Sequence, residues 1–224
     1  MERTYDIITF DCYGTLIDWE TGISAAISAA AGQAGVTLDR DAVLRTYHEV
    51  EPSIQAAEYV PYRDVLTMSA MAVGERLNWR VDQVRAGFLA DSLSGWPPFV
   101  DTNAALEQLK RAGYKLGILS NVDEDLLAAT LKSLSVEFDF VVTAEQVRSY
   151  KPATGHFERA REIVGASSWL HAAQSWFHDV VPAYELGIPV AWVNRTREPP
   201  LDNARPLVEV TTLVELVEWV TGET

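Results

Sequence analysis

Short apolar runs alternate along the chain with stretches whose apolar positions repeat at helical spacing. Runs of strand character occupy 7–11, 115–120, 138–143, 172–175 and 190–193. Between them, Leu127, Leu131 and Leu134 follow one helical face, and Leu106 and Leu109 sit in a helix that Gly113 can stop. Strands alternating with helices predict strand-helix-strand units and a mainly parallel sheet.

Residues 19–95 follow a different pattern, with helix after helix and no convincing strand between them. Ile23, Ala26, Ile27 and Ala30 make one apolar stripe, and further helical segments fall near 41–58, 61–77 and 80–92. Residues that punctuate or hinge a chain border the region, at 14–22 on one side and at Ser94-Gly95-Trp96-Pro97-Pro98 on the other. The expected architecture is α/β: a Rossmann-like, mainly parallel sheet flanked by helices, carrying an inserted helical cap. The core is assigned to 1–18 and 96–224, and the cap to 19–95.

Composition narrows the roles such a fold can take. With 224 residues, 48% of them hydrophobic, the chain can build a proper core. Its 32 acidic against 18 basic residues give a net charge of -14, and no basic block or stripe interrupts it. Such a surface repels nucleic acid and anionic membrane and favours a small-molecule partner. The longest apolar runs, such as 188–193, are far too short to span a bilayer. Cys12 is the single cysteine, so no internal disulfide can form, and the opening residues lack the charged and apolar regions of a signal peptide. A cytoplasmic location is expected.

In open parallel sheets, ligands sit beyond the carboxyl ends of the strands. Four such places carry chemistry here: Asp11, Ser120-Asn121, the segment leading to Lys151, and the stretch from Ser175 to Asp179. Asp11 is followed by Gly14, which permits close backbone approach, and by Thr15, which supplies a hydroxyl; together they can shape a pocket around a carboxylate nucleophile.

The four motifs Asp11-Cys12-Tyr13-Gly14-Thr15-Leu16, Ser120-Asn121, Lys151-Pro152 and Asp179 occur in this order over nearly the whole chain. With a helical insert after the first, the set resembles the haloacid dehalogenase superfamily. That resemblance implies that Asp11 attacks the substrate to form an ester, which water then cleaves at the carboxyl carbon. Lys151 would keep Asp11 ionised and oriented, since a nearby opposite charge favours the carboxylate. Ser120 and Asn121 would hydrogen-bond the substrate carboxylate or the leaving group, and Asp179 would lie near the nucleophile and the water. An N-cap role competes for Asp179, because Pro182 follows in the first turn of a helix.

Tyr13 bears on the substrate class. The superfamily's phosphatases carry an acid two residues after the nucleophile, because an alkoxide leaving group needs a proton, whereas a halide does not. Ser175 stands where those phosphatases have an acid that helps hold Mg²⁺. Both positions favour the (S)-2-haloacid dehalogenase branch, acting without metal or other cofactor on a small 2-substituted carboxylic acid; Mg²⁺ enters only if the chain is a phosphatase. The dehalogenases also use a cap arginine, for which Arg45 is the first choice and Arg63 the reserve.

Two departures from that branch stand out: Phe157 where it has a tyrosine, and Gln174-Ser175-Trp176 where it has serine-serine-asparagine. The pattern Ser175-x-x-His178-Asp179 is similar to a side branch that includes azetidine-2-carboxylate hydrolase. There the leaving group is an amine, and His178, with a pKa near neutrality, could donate its proton. Trp176 is a candidate aromatic wall of the substrate pocket. A phosphatase and a non-enzymatic binding protein are the other readings of the same fold. Homodimers are common among the enzymes this chain resembles, and no patch in the sequence marks such an interface.

Overall fold

The computed structural model describes residues 3–222. Six parallel strands form one sheet: β1 (Ile7–Phe10), β2 (Lys115–Ser120), β3 (Phe140–Thr143), β4 (Trp169–Ala173), β5 (Val190–Val193) and β6 (Val208–Val210), in the spatial order β3-β2-β1-β4-β5-β6. Parallel neighbours require crossovers, and helices supply them. α6 (Thr102–Arg111) leads into β2, α8 (Ala144–Val147) and α9 (Gly155–Val164) into β4, and α10 (Val181–Glu185) into β5. The strand order reverses beside β1, which lies between β2 and β4. Phe10 pairs in register with Ile118 on one side and Ala172 on the other, so Asp11 emerges where ligands bind in such sheets.

β4 begins three residues before the predicted 172 and ends before Ser175. His171 breaks its apolar run, yet that imidazole is fully buried because hydrogen bonds to Thr9 and Asp179 satisfy both ring nitrogens. β6 lies outside the expected strands; it has three residues and an exposed Glu209 at its centre, too short a pattern to read. Gly14 adopts φ +100, a left-handed conformation that lets the chain fold back after Asp11, with Gly14 N–H donating to Ile17 O at 2.8 Å.

The described chain forms two compact units. One holds the sheet and comprises the residues up to Ile17, Pro98–Asn121 and those from Leu134 onward. The other is helical and comprises Asp18–Pro97 with Val122–Ser133. Its helices are α1 (Trp19–Gln33), α2 (Arg40–Gln55), α3 (Tyr62–Arg76), α4 (Gln83–Ala86), α5 (Phe88–Ser92) and α7 (Glu124–Thr130).

Asp18 and Asp39 cap α1 and α2 by accepting from Thr21 N and Ala42 N. The buried stripe of α1 is Ile23, Ile27 and Ala31, with Ala26 and Ala30 at its edge. Gly22 has no alternative, since a Cβ there would fall 2.2 Å from the Trp96 indole. The segment expected at 80–92 breaks at Gly87 into α4 and α5. Residues 122–133, placed with the core by sequence, pack in the helical unit instead. Asp123 explains this: its two oxygens accept from Tyr62 N and Arg63 N, each at 2.8 Å, and so cap α3 from outside that helix. Among the described residues, no helix is long and apolar enough to cross a membrane.

Candidate active site

Around the carboxyl end of β1, the sheet unit buries two carboxylates and an ammonium together. Lys151 is 2% exposed, Asp11 7% and Asp179 0%. Lys151 Nζ donates to Asp11 Oδ1 at 2.9 Å, Asp179 Oδ1 at 2.5 Å and Leu119 O at 2.9 Å. All three ammonium protons therefore have an acceptor.

Burial opposes the Lys151 charge, but the two carboxylates outweigh it and hold its pKa above the ordinary lysine value. For Asp179, burial works against ionisation, while Lys151 and the His171 hydrogen bond prevail and bring the carboxyl down to about 2. Asp11 shifts the other way. Burial pushes it up and the negative Asp179 adds to the rise, with Lys151 and Thr15 opposing. Asp179 is thus the firmly ionised partner, and Asp11 the carboxylate that depends on Lys151 for its charge.

Each member of the cluster has its own support. Thr15 Oγ1 donates to Asp11 Oδ2 at 3.1 Å and accepts from Gln174 N at 2.9 Å, tying the loop after β1 to the loop after β4. Asn121 Oδ1 accepts from Lys151 N at 2.7 Å, and its Nδ2 donates to Lys151 O at 3.1 Å. Asn121, which the resemblance assigns to the substrate carboxylate or the leaving group, holds the lysine's main chain with its amide. Ser120 Oγ is enclosed with no hydrogen-bond partner, leaving a hydroxyl able to meet a bound group, while Ser120 O engages His156 Nε2 at 3.0 Å.

Ser175 and Asp179 exchange the roles that helix entry suggests. Ser175 is the N-cap of the turn Trp176–Val180, accepting from His178 N at 3.1 Å, and the Asp179 carboxylate points into the buried cluster. Ser175 Oγ also meets His178 Nδ1 at 3.1 Å. Burial lowers the His178 pKa below its ordinary value, so this ring is neutral at pH 7 rather than poised between two charge states.

Trp176, the candidate pocket wall, is packed on its core side. It is 5% exposed and sits in the apolar core, edge-on to Trp192 with ring centres 4.6 Å apart. Tyr13 is half-buried on the loop after Asp11. Arg45 lies in the helical unit, exposed on α2. Arg63 is engaged by Asp125 at 2.8 Å and Asp91 at 3.3 Å.

Three supporting side chains escaped the sequence reading. His171 Nε2 reaches Asp179 Oδ1 at 3.0 Å, so with that carboxylate ionised Nε2 must carry a proton. Thr9 Oγ1 stands 2.9 Å from His171 Nδ1 and accepts from Trp169 Nε1 at 2.6 Å, fixing the ring from behind. Phe157 packs edge-on against His171, ring centres 5.3 Å apart, where the related enzymes' tyrosine would bring a hydroxyl. His156, buried and pushed down to about 3, is neutral. Arg195 clamps the loop after β1: its Nε and Nη2 donate to Thr15 O at 3.1 and 2.8 Å, and Asp101 accepts from the same guanidinium at 3.1 and 3.2 Å. A lone histidine inside a strand and an arginine after one carry no periodic signal, so only the pairing in space exposes them. Cys12 is fully buried and burial raises its thiol well above the ordinary value, which suits a packing role.

A Mg²⁺ ion does not suit this donor set. Asp11 offers a carboxylate, but the second position is Ser175, whose hydroxyl is committed to His178. Among the described residues, no group of three or more His, Cys, Asp or Glu side chains is placed to hold a metal ion.

Comparison with known proteins matches residues 5–173 to the family of haloacid dehalogenase-like hydrolases. An (S)-2-haloacid dehalogenase of Pseudomonas putida is 26% identical over 225 residues, covering 95% of each chain. A crystal structure of an L-2-haloacid dehalogenase superposes with a TM-score of 0.84 at 23% identity, covering 97% of this chain and 99% of the other. The L-2-haloacid dehalogenase of Xanthobacter autotrophicus, solved with chloropropionic acid covalently bound, gives 0.83 at 22% identity, covering 98% and 100%. These structures share the α/β fold with its parallel sheet and helical insertion.

Proposed function

From the chain's membership of the haloacid dehalogenase-like hydrolases, we propose that it hydrolyses small 2-substituted carboxylic acids, most simply 2-haloacids, by covalent catalysis at Asp11. The observation that carries this reading is the buried Lys151 ammonium bridging Asp11 and Asp179. It keeps an enclosed carboxylate charged at the strand end, where a substrate can meet it.

In the first step an Asp11 carboxylate oxygen attacks C2 of the substrate. A carbon-oxygen bond forms as the carbon-halogen bond breaks, and the halide departs with the bonding pair. In the second, water adds to the Asp11 carboxyl carbon and the ester's acyl-oxygen bond breaks. The 2-hydroxy acid leaves, Asp11 keeps one oxygen from water, and one proton is released to solvent beyond the hydroxyl formed. Thr15 and Lys151 orient Asp11 throughout, and Asp179, fixed by His171, holds Lys151 between the two carboxylates. Ser120 Oγ and the exposed guanidinium of Arg45 are the groups assigned to the substrate carboxylate or the leaving halide.

The same machinery suits opening of a strained cyclic amine beside a carboxylate. That second reading assigns His178 to the amine leaving group, and its neutral ring can hydrogen-bond such a group but has no acidic proton to give it. A phosphatase is disfavoured by Tyr13 and Ser175, which stand where two acids are needed.

A substrate panel tests the assignment: 2-chloropropionate, azetidine-2-carboxylate and 4-nitrophenyl phosphate, each with and without a chelator. Halide release from the (S)-2-haloacid, unaffected by chelator, is expected. Turnover confined to the phosphate ester, lost with chelator and restored by Mg²⁺, would overturn the reading.

A further inference from the structure

His171 and Thr9 are register partners on the adjacent strands β4 and β1, and both are fully buried. An imidazole inside a sheet has no water to bond, so its nitrogens need partners within the fold. Thr9 Oγ1 lies 2.9 Å from Nδ1, and Asp179 Oδ1 lies 3.0 Å from Nε2. The ring has further support: Phe157 packs edge-on against it, and Trp169 Nε1 donates to Thr9 Oγ1 at 2.6 Å.

What this ring does follows from which oxygen it meets. A carboxylate carries two equivalent oxygens on a soft terminal torsion, so contact with a single cation leaves the group free to swing. Here two donors converge on one oxygen: Lys151 Nζ at 2.5 Å and His171 Nε2 at 3.0 Å both reach Asp179 Oδ1. Asp179 Oδ2 is enclosed with no hydrogen-bond partner. The donors come from separate elements, His171 from β4 and Lys151 from the segment between α8 and α9. Oδ1 is therefore pinned from two sides, and the ammonium it holds stands 2.9 Å from Asp11 Oδ1.

We propose that His171 is a positioning residue for the reaction assigned to Asp11: by fixing Asp179 Oδ1 it keeps the Lys151 ammonium on the Asp11 carboxylate. This role rests on the covalent reading proposed for Asp11, and it is exerted through Asp179 and Lys151.

Two substitutions separate positioning from packing. His171→Leu keeps an apolar body at the position and removes both nitrogens, whereas His171→Gln places an amide N–H near the position of Nε2. With 2-chloropropionate, His171→Leu is expected to lower kcat at least about tenfold while KM changes less than about threefold, the loss of a hydrogen bond to a charged group that sets geometry rather than substrate affinity. His171→Gln is expected to keep kcat within about threefold of the parent. A ring that served packing alone would be replaced better by leucine than by glutamine.

Stability against acid gives a readout that needs no turnover. Lys151, Asp11, His156 and His178 also face Asp179; both variants retain them, and neither variant titrates at position 171. A donor to Oδ1 helps hold the folded Asp179 below the ordinary 3.8, so the unfolded chain takes up the proton first and stability falls with pH. Without that donor the folded value rises toward 3.8 and the fall shrinks. Urea denaturation between pH 4 and pH 2 is therefore expected to show a steeper fall for His171→Gln than for His171→Leu.

Equal kcat in the two variants, a higher kcat in His171→Leu, or equal acid slopes would each overturn the role. If the parent releases no halide, the substrate reading fails and the slopes alone decide the place of His171. If His171→Leu does not fold, His171→Asn replaces it, because its shorter amide reaches toward Thr9 rather than Asp179; an asparagine variant equal to His171→Gln in kcat or slope overturns the role equally.

Discussion

Lys151 Nζ stands 2.5 Å from Asp179 Oδ1, closer than to either of its other two acceptors. The lysine is therefore anchored from the Asp179 side, and Asp11 takes its orientation from a cation already fixed. Lys151→Met would leave two buried carboxylates facing each other with no counter-charge. The expected outcome is a loss of about 3–5 kcal/mol in urea-denaturation stability together with loss of turnover. A variant of unchanged stability would show that the pair is not enclosed as described.

Asp179 makes stability depend on acid in a definite direction. Its folded pKa of about 2 lies below the ordinary 3.8, so its contribution is complete above pH 3.8 and is lost as the pH falls toward 2. The size is about 2 kcal/mol. Asp11, raised by burial, has the opposite sign: its contribution is present at low pH and is lost as the pH rises above 3.8. Asp179→Asn should flatten the fall in stability between pH 4 and pH 2 by the equivalent of one proton, measured by denaturation at a series of pH values. A slope identical to the parent's would contradict the assignment.

Arg195 acts on the chemistry only through the main chain that carries Thr15. Lysine at this position keeps the charge but loses the fork that donates twice to one carbonyl. Arg195→Lys is expected to lower kcat by about 10- to 100-fold with KM changed much less, since a loosened catalytic loop misplaces Asp11 and Thr15. Steady-state kinetics on 2-chloropropionate separate the two; a rise in KM alone would move Arg195 to substrate binding.

The two cap arginines should part company on mutation. Arg63 is 43% exposed and shared between Asp91 and Asp125, so Arg63→Ala should cost no more than about 1 kcal/mol and leave kcat/KM near the parent value. Arg45→Ala should instead reduce kcat/KM by at least about tenfold, the loss of one charged contact to the substrate. Equal effects from both would remove Arg45 from the site.

The strand ends were legible because parallel strands are dense apolar runs that stop abruptly: Asp11 follows one such run, Ser120 ends another, and Lys151 stands beyond a third. The helical insertion was legible from the absence of any strand pattern across 19–95. What could not be read was the use of each polar group. Asn121 and Ser120 are adjacent and similar on paper, yet one supports the lysine main chain and the other keeps an unmatched hydroxyl. Trp176 has the composition of a pocket residue and the position of a core one. His171, Arg195 and Asp123 take their meaning from partners between 8 and 180 positions away, a separation that no local period reports.

The most direct measurement is a single turnover with enzyme in excess of 2-chloropropionate in heavy-oxygen water, followed by mass analysis of the peptide containing Asp11. Label in one Asp11 carboxylate oxygen, with none in the 2-hydroxy acid formed in that first turnover, is the predicted result. Label in the first-turnover product with Asp11 unlabelled would mean that water attacks the substrate carbon directly, and the covalent role of Asp11 would be wrong.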